Sequence, residues 1–209
     1  SPRRVATVVT QVQVDENDAA LQNPTKFIGR EVSAKRAADL ERTGHKVARD
    51  GNGRLRRVVG SPMPMAIHEL PVIKQLVESG VVVIAAGGGG APIYRHAQLG
   101  WEGLNAVVDK DLAAAVLARD LGAKLLLILT DVDGVYRDWG TPRQARIPTL
   151  TVAAARRMDR DGQFGEGSMA PKIRAAVDFV RRTKGRAVIA SLHTGRDAVR
   201  GRAGTTITV

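Results

Sequence analysis

Lys110 and Lys172 occupy positions that helix electrostatics should reject. Each falls in the first turn of a predicted helix, in VVDKDLAAAV and GEGSMAPKIRAAV. The positive end of a helix dipole disfavours a cation there by roughly 0.3–1 kcal/mol. The placement becomes favourable when an anion such as a phosphate lies between the lysine and the helix. The run AAGGGGAP at 85–92 follows an apolar, strand-like segment, as phosphate loops do. Gly87, Gly88, Gly89 and Gly90 carry no Cβ, so the backbone can turn sharply and offer successive N–H groups to an anion. Four glycines alone also fit a flexible turn. Their place directly after a strand favours the phosphate or carboxylate reading.

Two further segments carry groups of the same kind. TDVDGVY at 130–136 follows a second apolar run. In an extended segment Asp131 and Asp133 point to one side, and Gly134 permits a turn. Such a segment either ends a strand through an Asx-turn or forms a nucleotide-facing edge where carboxylates order lysines, ribose or a magnesium shell. GQFGEGSMAPK at 162–172 is a glycine-rich loop running into a helix started by Pro171, with Ser168 available as cap. A plain capped helix accounts for Ser168 and Pro171, but not for Gly162, Gly165, Gly167 and Lys172. In Asp109-Lys110-Asp111, two carboxylates suit the dipole and could hold Lys110 in one rotamer. An ordinary surface charge cluster has the same composition.

The elements that must position these groups follow a strand–helix alternation. Residues 5–14 read as one strand, and 33–42 as a helix capped by Ser33. HKVARDGNGRLRRVV reads as a hairpin around Asp50-Gly51-Asn52-Gly53. Residues 23–62 thus form a polar excursion inserted in a body made of 1–22 and 63–209. The pattern predicts helices over 69–79, 109–121, 152–159 (capped by Thr151) and 169–182. The last turns Ile173, Val177 and Val180 inward. VVVIAA at 81–86 and LLLILT at 125–130 read as strands buried on both faces of a parallel sheet. Residues 187–191 and 205–209 supply further strands. Such alternation implies a mostly parallel sheet covered by helices, with ligands beyond the carboxyl ends of its strands. The glycine run and TDVDGVY both lie there.

Composition narrows the classes. The chain has 209 residues, 44% of them hydrophobic and 3% aromatic, and no cysteine. A core of aliphatic residues is therefore expected, disorder is excluded, and a reducing cytoplasm fits. The apolar runs are too short to span a bilayer, and no secretory pattern opens the chain. The net charge is +11. Its dispersion along the chain, with few aromatics and no recognised nucleic-acid motif, argues against a nucleic-acid surface and for a solvated face or attraction of polyphosphate substrates. His45, His68, His96 and His193 share no metal-site spacing. Trp101 and Trp139 read as loop wedges.

The order NPTK…IG, RRVV.SP.P, VVVIAAGGGG.P, VVDKDLA, LLILTDVDGVY and GSMAPK resembles carbamate kinase of the amino-acid kinase superfamily, from Val5 to the C-terminus. The resemblance implies an α/β fold: a three-layer αβα sandwich with a mainly parallel sheet and a small protruding subdomain, usually in a homodimer. It also implies reversible phosphoryl transfer between ATP and carbamate with Mg2+, often run as ATP synthesis from carbamoyl phosphate and ADP in arginine catabolism. Lys110 and Lys172 would neutralise the transferring phosphoryl group, with Asp111 orienting them. Lys26, in NPTK, would swing over the site and touch the phosphate. Gly87, Gly88 and Gly89 would line the acyl-substrate side. Thr130, Asp131, Asp133, Gly134, Tyr136 and the 165–169 loop, with Gly165, Ser168 and Met169, would hold the nucleotide. Carbamate is its own nucleophile, so a Ser/His/Asp arrangement is not required. Positioning and charge stabilisation suffice.

Departures from the family pattern keep alternatives open. The resemblance implies an upstream strand with a GGN-type loop and a later HGNGPQ-type loop, and neither motif occurs in these residues. Met63 and Met65 stand where relatives tend to carry lysine. A non-catalytic nucleotide-binding module, another amino-acid kinase, and a basic nucleic-acid-binding protein are the competing expectations.

Overall fold

The computed structural model describes residues 2–165 and 168–209. Ser1, Glu166 and Gly167 lie outside the described residues, so part of the expected 165–169 loop is not covered. The chain divides into two compact units, Ser1–Ala113 and Ala114–Val209.

In chain order the first unit holds β1 (Val5–Thr7), β2 (Gln11–Gln13), α1 (Ala19–Gln22), β3 (Lys26–Ile28), α2 (Ala34–Arg42), β4 (Lys46–Arg49) and β5 (Leu55–Val59). There follow β6 (Ala66–Ile67), α3 (Leu70–Glu78), β7 (Val82–Ile84), β8 (Ala91–His96), β9 (Gly100–Gly103) and the start of α4 (Lys110–Asp120). The single strand expected over 5–14 is two. Thr10 causes the break. Its hydroxyl donates to the Val8 carbonyl at 3.0 Å and accepts from the Ala86 amide at 2.8 Å. Its carbonyl accepts from the Ala91 amide at 2.9 Å. Before this point β1 pairs in parallel with β7; after it β2 pairs in parallel with β8. β6 and β9 extend the second sheet antiparallel, in the order β6-β2-β8-β9.

β7 corrects a second expectation. Val82 and Ile84 are 43% and 54% exposed, not covered on both faces. Among the described residues the strand's sheet consists of β1 and β7. A β-branched run reports a preference for the pleated backbone; it cannot report how many faces are covered. The expected helix over 69–79 is α3, with Pro71 in its first turn and Ile73 buried.

Residues 23–62 contain an antiparallel sheet of their own, ordered β3-β5-β4, together with α2. The Ser33 hydroxyl accepts from the Arg36 amide at 3.2 Å, as a helix cap should. The expected hairpin is present. Gly53 donates to the Asp50 carbonyl at 2.8 Å, and the Asp50 side chain accepts from the amides of Asn52 and Arg54.

The second unit contains β10 (Leu125–Thr130), β11 (Val135–Arg137), β12 (Ala145–Ile147), β13 (Thr149–Thr151), α5 (Val152–Arg160) and α6 (Met169–Thr183). β14 (Arg186–Ser191), α7 (Gly195–Val199) and β15 (Thr205–Thr208) complete it. Its main sheet runs β10-β14-β15-β13. β10–β14 and β13–β15 are parallel, and β14–β15 is antiparallel. Parallel pairing therefore coexists with antiparallel pairing in both units. β14 is the innermost strand, with Ala187, Val188, Ile189 and Ala190 all at 0% exposure. α6 packs on this sheet and buries Ile173, Val177 and Val180, as its 3.6-residue periodicity predicted, together with Phe179. Thr151 caps α5 through the Ala154 amide at 3.2 Å. No helix among the described residues is long and apolar enough to cross a membrane.

Candidate active site

In the first unit the glycine run forms a tight turn between β7 and β8. Gly89 donates to the Ala86 carbonyl and Gly90 to the Gly87 carbonyl, so those two N–H groups are spent inside the turn. Ala86 (φ 53), Gly88 (φ 69), Gly89 (φ 107) and Gly90 (φ 79) are all left-handed. The glycines nevertheless differ. A Cβ on Gly89 would lie 2.1 Å from the Val108 carbonyl oxygen, and one on Gly90 2.5 Å from Val12. At Gly87 and Gly88 a Cβ would meet nothing within 4 Å. Gly89 is thus demanded by packing against the segment that leads into α4. Gly87 and Gly88 are the exposed ground a ligand can approach.

The same segment carries the charged groups. The expected helix over 109–121 begins one residue later, because Asp109 is its cap. Asp109 Oδ1 accepts from the amides of Asp111 at 2.9 Å and Leu112 at 3.3 Å. Asp109 was expected to steady Lys110. Its other oxygen instead takes the Lys26 ammonium at 2.5 Å. Burial raises the Asp109 carboxyl pKa. The Lys26 hydrogen bond and charge, with the two amides, more than offset this, so it ionises below the ordinary carboxylate value. Lys110 opens α4 and is exposed, so the unfavourable dipole position anticipated for it is real.

In the second unit a cavity of about 270 Å³ opens beside the C-terminal end of β10. Thr130, Asp131, Gly134 and Tyr136 form one wall. Gly165, Ser168, Met169 and Lys172, at the start of α6, form another. All of these come from the sequence-predicted set. Asp133 does not line the cavity. Residues 131–134 form bends and not an extended run, so the two carboxylates part. Asp133 accepts the Tyr136 hydroxyl at 2.6 Å and lies 3.7 Å from Arg146. That hydrogen bond, with lesser burial, raises the Tyr136 pKa and keeps the phenol a donor. Gly134 is fixed by close approach. A Cβ there would lie 2.8 Å from the hydroxyl of Thr205, a fully buried side chain. The Thr205 hydroxyl accepts from the Val135 amide at 2.8 Å and donates to the Ile147 carbonyl at 2.5 Å, tying the TDVDGVY turn to β15.

Ser168 occupies the cap position of α6, but its hydroxyl makes no capping bond. The Gly165 carbonyl accepts from both the Ser168 and Ala170 amides at 3.1 Å. The loop backbone therefore satisfies a donor that the side chain was expected to take. With Lys172 on the fourth residue of α6, the wall carries both the positive helix end and a cation, an arrangement suited to phosphate. Gly167, also expected in this loop, lies outside the described residues.

Trp139, Gln163 and Phe164 also line the cavity and escaped the sequence reading. Trp139, expected to wedge a loop, stands edge-on to Tyr136 at 5.1 Å between ring centroids and is 58% exposed. A tryptophan so close to a TDVDGVY motif was the available signal. Trp101, also expected to wedge a loop, lies instead within β9, edge-on to His68 at 5.1 Å between ring centroids and under the Arg95 guanidinium. Among the described residues no three His, Cys, Asp or Glu side chains cluster as a metal cage. Magnesium is commonly held by one or two carboxylates plus substrate phosphates. Asp131, the carboxylate on the cavity wall, fits that mode.

A model of the amino acid kinase family matches residues 8–191. Carbamate kinase of Thermoplasma acidophilum is 44% identical over 207 residues, covering 98% of this chain and 67% of that protein. Carbamate kinase of Halobacterium salinarum is 46% identical over 204 residues, covering 97% and 66%. The solved structure of carbamate kinase from Giardia lamblia bound to AMP-PNP superposes with a TM-score of 0.88 at 38% identity, covering 100% of this chain and 66% of that one. The chain spans about two thirds of the length of the curated relatives it matches.

Proposed function

Because the chain belongs to the amino acid kinase family, on its carbamate kinase branch, we propose that it carries out phosphoryl transfer between ATP and carbamate, in the form of ADP and carbamoyl phosphate giving ATP. The observation that carries this reading is the second unit's cavity. There Lys172 and the start of α6 stand on one wall, and Thr130, Asp131 and Tyr136 on the other. The cavity would take the nucleotide. That the Giardia relative was solved bound to AMP-PNP supports nucleotide binding by a chain of this fold. Asp131 would reach the hydration shell of a magnesium ion, which when bound neutralises the nucleotide's phosphates. Gly87 and Gly88 would take the acyl substrate. Lys110 and Lys172 would neutralise charge on the transferring group, and Lys26 would contact it. Asp111 would orient the lysines. Preorganised cations of this kind do most of the work in phosphoryl transfer. We assign the enzyme to the cytoplasm, to a homodimer and to arginine catabolism, with residues 23–62 as a protruding subdomain.

ADP binding measured by calorimetry, and ATP formation from ADP, carbamoyl phosphate and Mg2+, test the reading. Lys172→Ala should lower turnover about a hundredfold, the scale of losing one charge-stabilising group. Near-wild-type turnover in that variant would refute the role of Lys172, and absence of ADP binding would refute the nucleotide cavity.

A further inference from the structure

The segment 107–110 links three parts of the first unit. Its Val108 carbonyl abuts Gly89 of the glycine turn. Its Val107 amide donates to the Gly60 carbonyl, at the foot of residues 23–62, at 3.0 Å. Its Asp109 carboxylate takes Lys26. Lys26 opens β3 and is paired with Val59 of β5, so its backbone is part of the excursion's own sheet.

We propose that Asp109 is a positioning residue that fixes the Lys26 ammonium, and through it the 23–62 excursion, at the entrance of α4. The carboxylate divides its labour. Oδ1 caps the helix through two amides, and Oδ2 faces the ammonium. Asp109 is 6% exposed, so water competes poorly for either oxygen. The partners are 83 residues apart in sequence, so the bond closes a long excursion onto the body. A lysine has four rotatable side-chain bonds, and unpinned it would sample many positions. Pinned, its ammonium stays on the carboxylate that caps α4. The catalytic half of this proposal rests on the reading of Lys26 given above; the pinning half does not.

Asp109→Asn isolates the pair. The amide oxygen can still cap α4, whereas the NH2 group cannot accept from an ammonium. A double-mutant cycle with Lys26→Met is read first by amide hydrogen exchange across β3, β4 and β5. Each single variant should speed exchange there about tenfold, and the double variant no more than either single, as expected when one interaction is removed twice. Turnover is read on the same proteins. Asp109→Asn should lower kcat about tenfold with KM for ADP nearly unchanged, and should add no loss to Lys26→Met. Additive exchange effects, or unchanged exchange in Asp109→Asn, would overturn the pinning role. Coupled exchange alongside wild-type turnover in Lys26→Met would instead overturn the assignment of Lys26 to the reaction.

Discussion

Adjacent glycines in the turn between β7 and β8 should respond very differently to the same methyl group. In Gly88→Ala the new Cβ meets nothing within 4 Å, and the cost is a left-handed residue at φ +69. That is about 1–2 kcal/mol. In Gly89→Ala the residue must hold φ +107 with a Cβ placed 2.1 Å from the Val108 carbonyl oxygen. That oxygen cannot easily retreat. Val108 is 1% exposed, and the next residue is bonded both to Lys26 and to the α4 amides. Overpacking adds about 1–3 kcal/mol to the strain, for a total of about 2–5 kcal/mol. For a chain of this size each kcal/mol moves Tm by about 2–4 °C. Thermal unfolding should therefore fall about 2–8 °C in Gly88→Ala and, within the same preparation, about twice as far in Gly89→Ala. Kinetics should reverse the order of interest. Gly88→Ala should raise KM for carbamoyl phosphate out of proportion to its small thermal effect, because its methyl group occupies the open ground. A Gly88→Ala shift equal to or larger than that of Gly89→Ala would show that the turn is not held against Val108, and the division between ligand-facing and packing glycines would fail.

Two other perturbations probe the scaffolding. Thr205→Val keeps the shape but leaves the buried Val135 amide without its acceptor. It should cost about 1–3 kcal/mol in a urea titration; a change below about 0.5 kcal/mol would mean that the TDVDGVY turn does not depend on β15. The acid response of the Lys26–Asp109 pair follows from the lowered carboxyl pKa. Its stabilisation is complete above the unfolded Asp value near 3.8 and is lost as pH falls through the lower folded value. The stability difference between wild type and Asp109→Asn, measured by denaturant midpoints, should be constant near neutrality and shrink below about pH 4. A difference that grows on acidification would contradict the pairing.

Local chemistry made much of this protein readable in advance. Periodicity located α3, α5 and α6, and Ser33 and Thr151 announced the caps they make. The Asp50–Gly53 turn could be named because a hairpin's geometry is set by four consecutive residues. The carriers of charge, Lys110 and Lys172, were conspicuous for defying the helix dipole, a rule that acts within one turn. Partnership across distance was a different matter. Which of Gly87–Gly90 are open and which are packed depends on Val108 and Val12, and the path of Asp133 on Tyr136 and Arg146. The exposure of Val82 and Ile84 depends on which strands flank β7. Asp109 was read as a neighbour of Lys110 because the two are adjacent, yet its oxygen closes on Lys26, 83 residues away. A sequence records the hydrogen-bonding capacity of each side chain; only folding brings the distant group that uses it into reach.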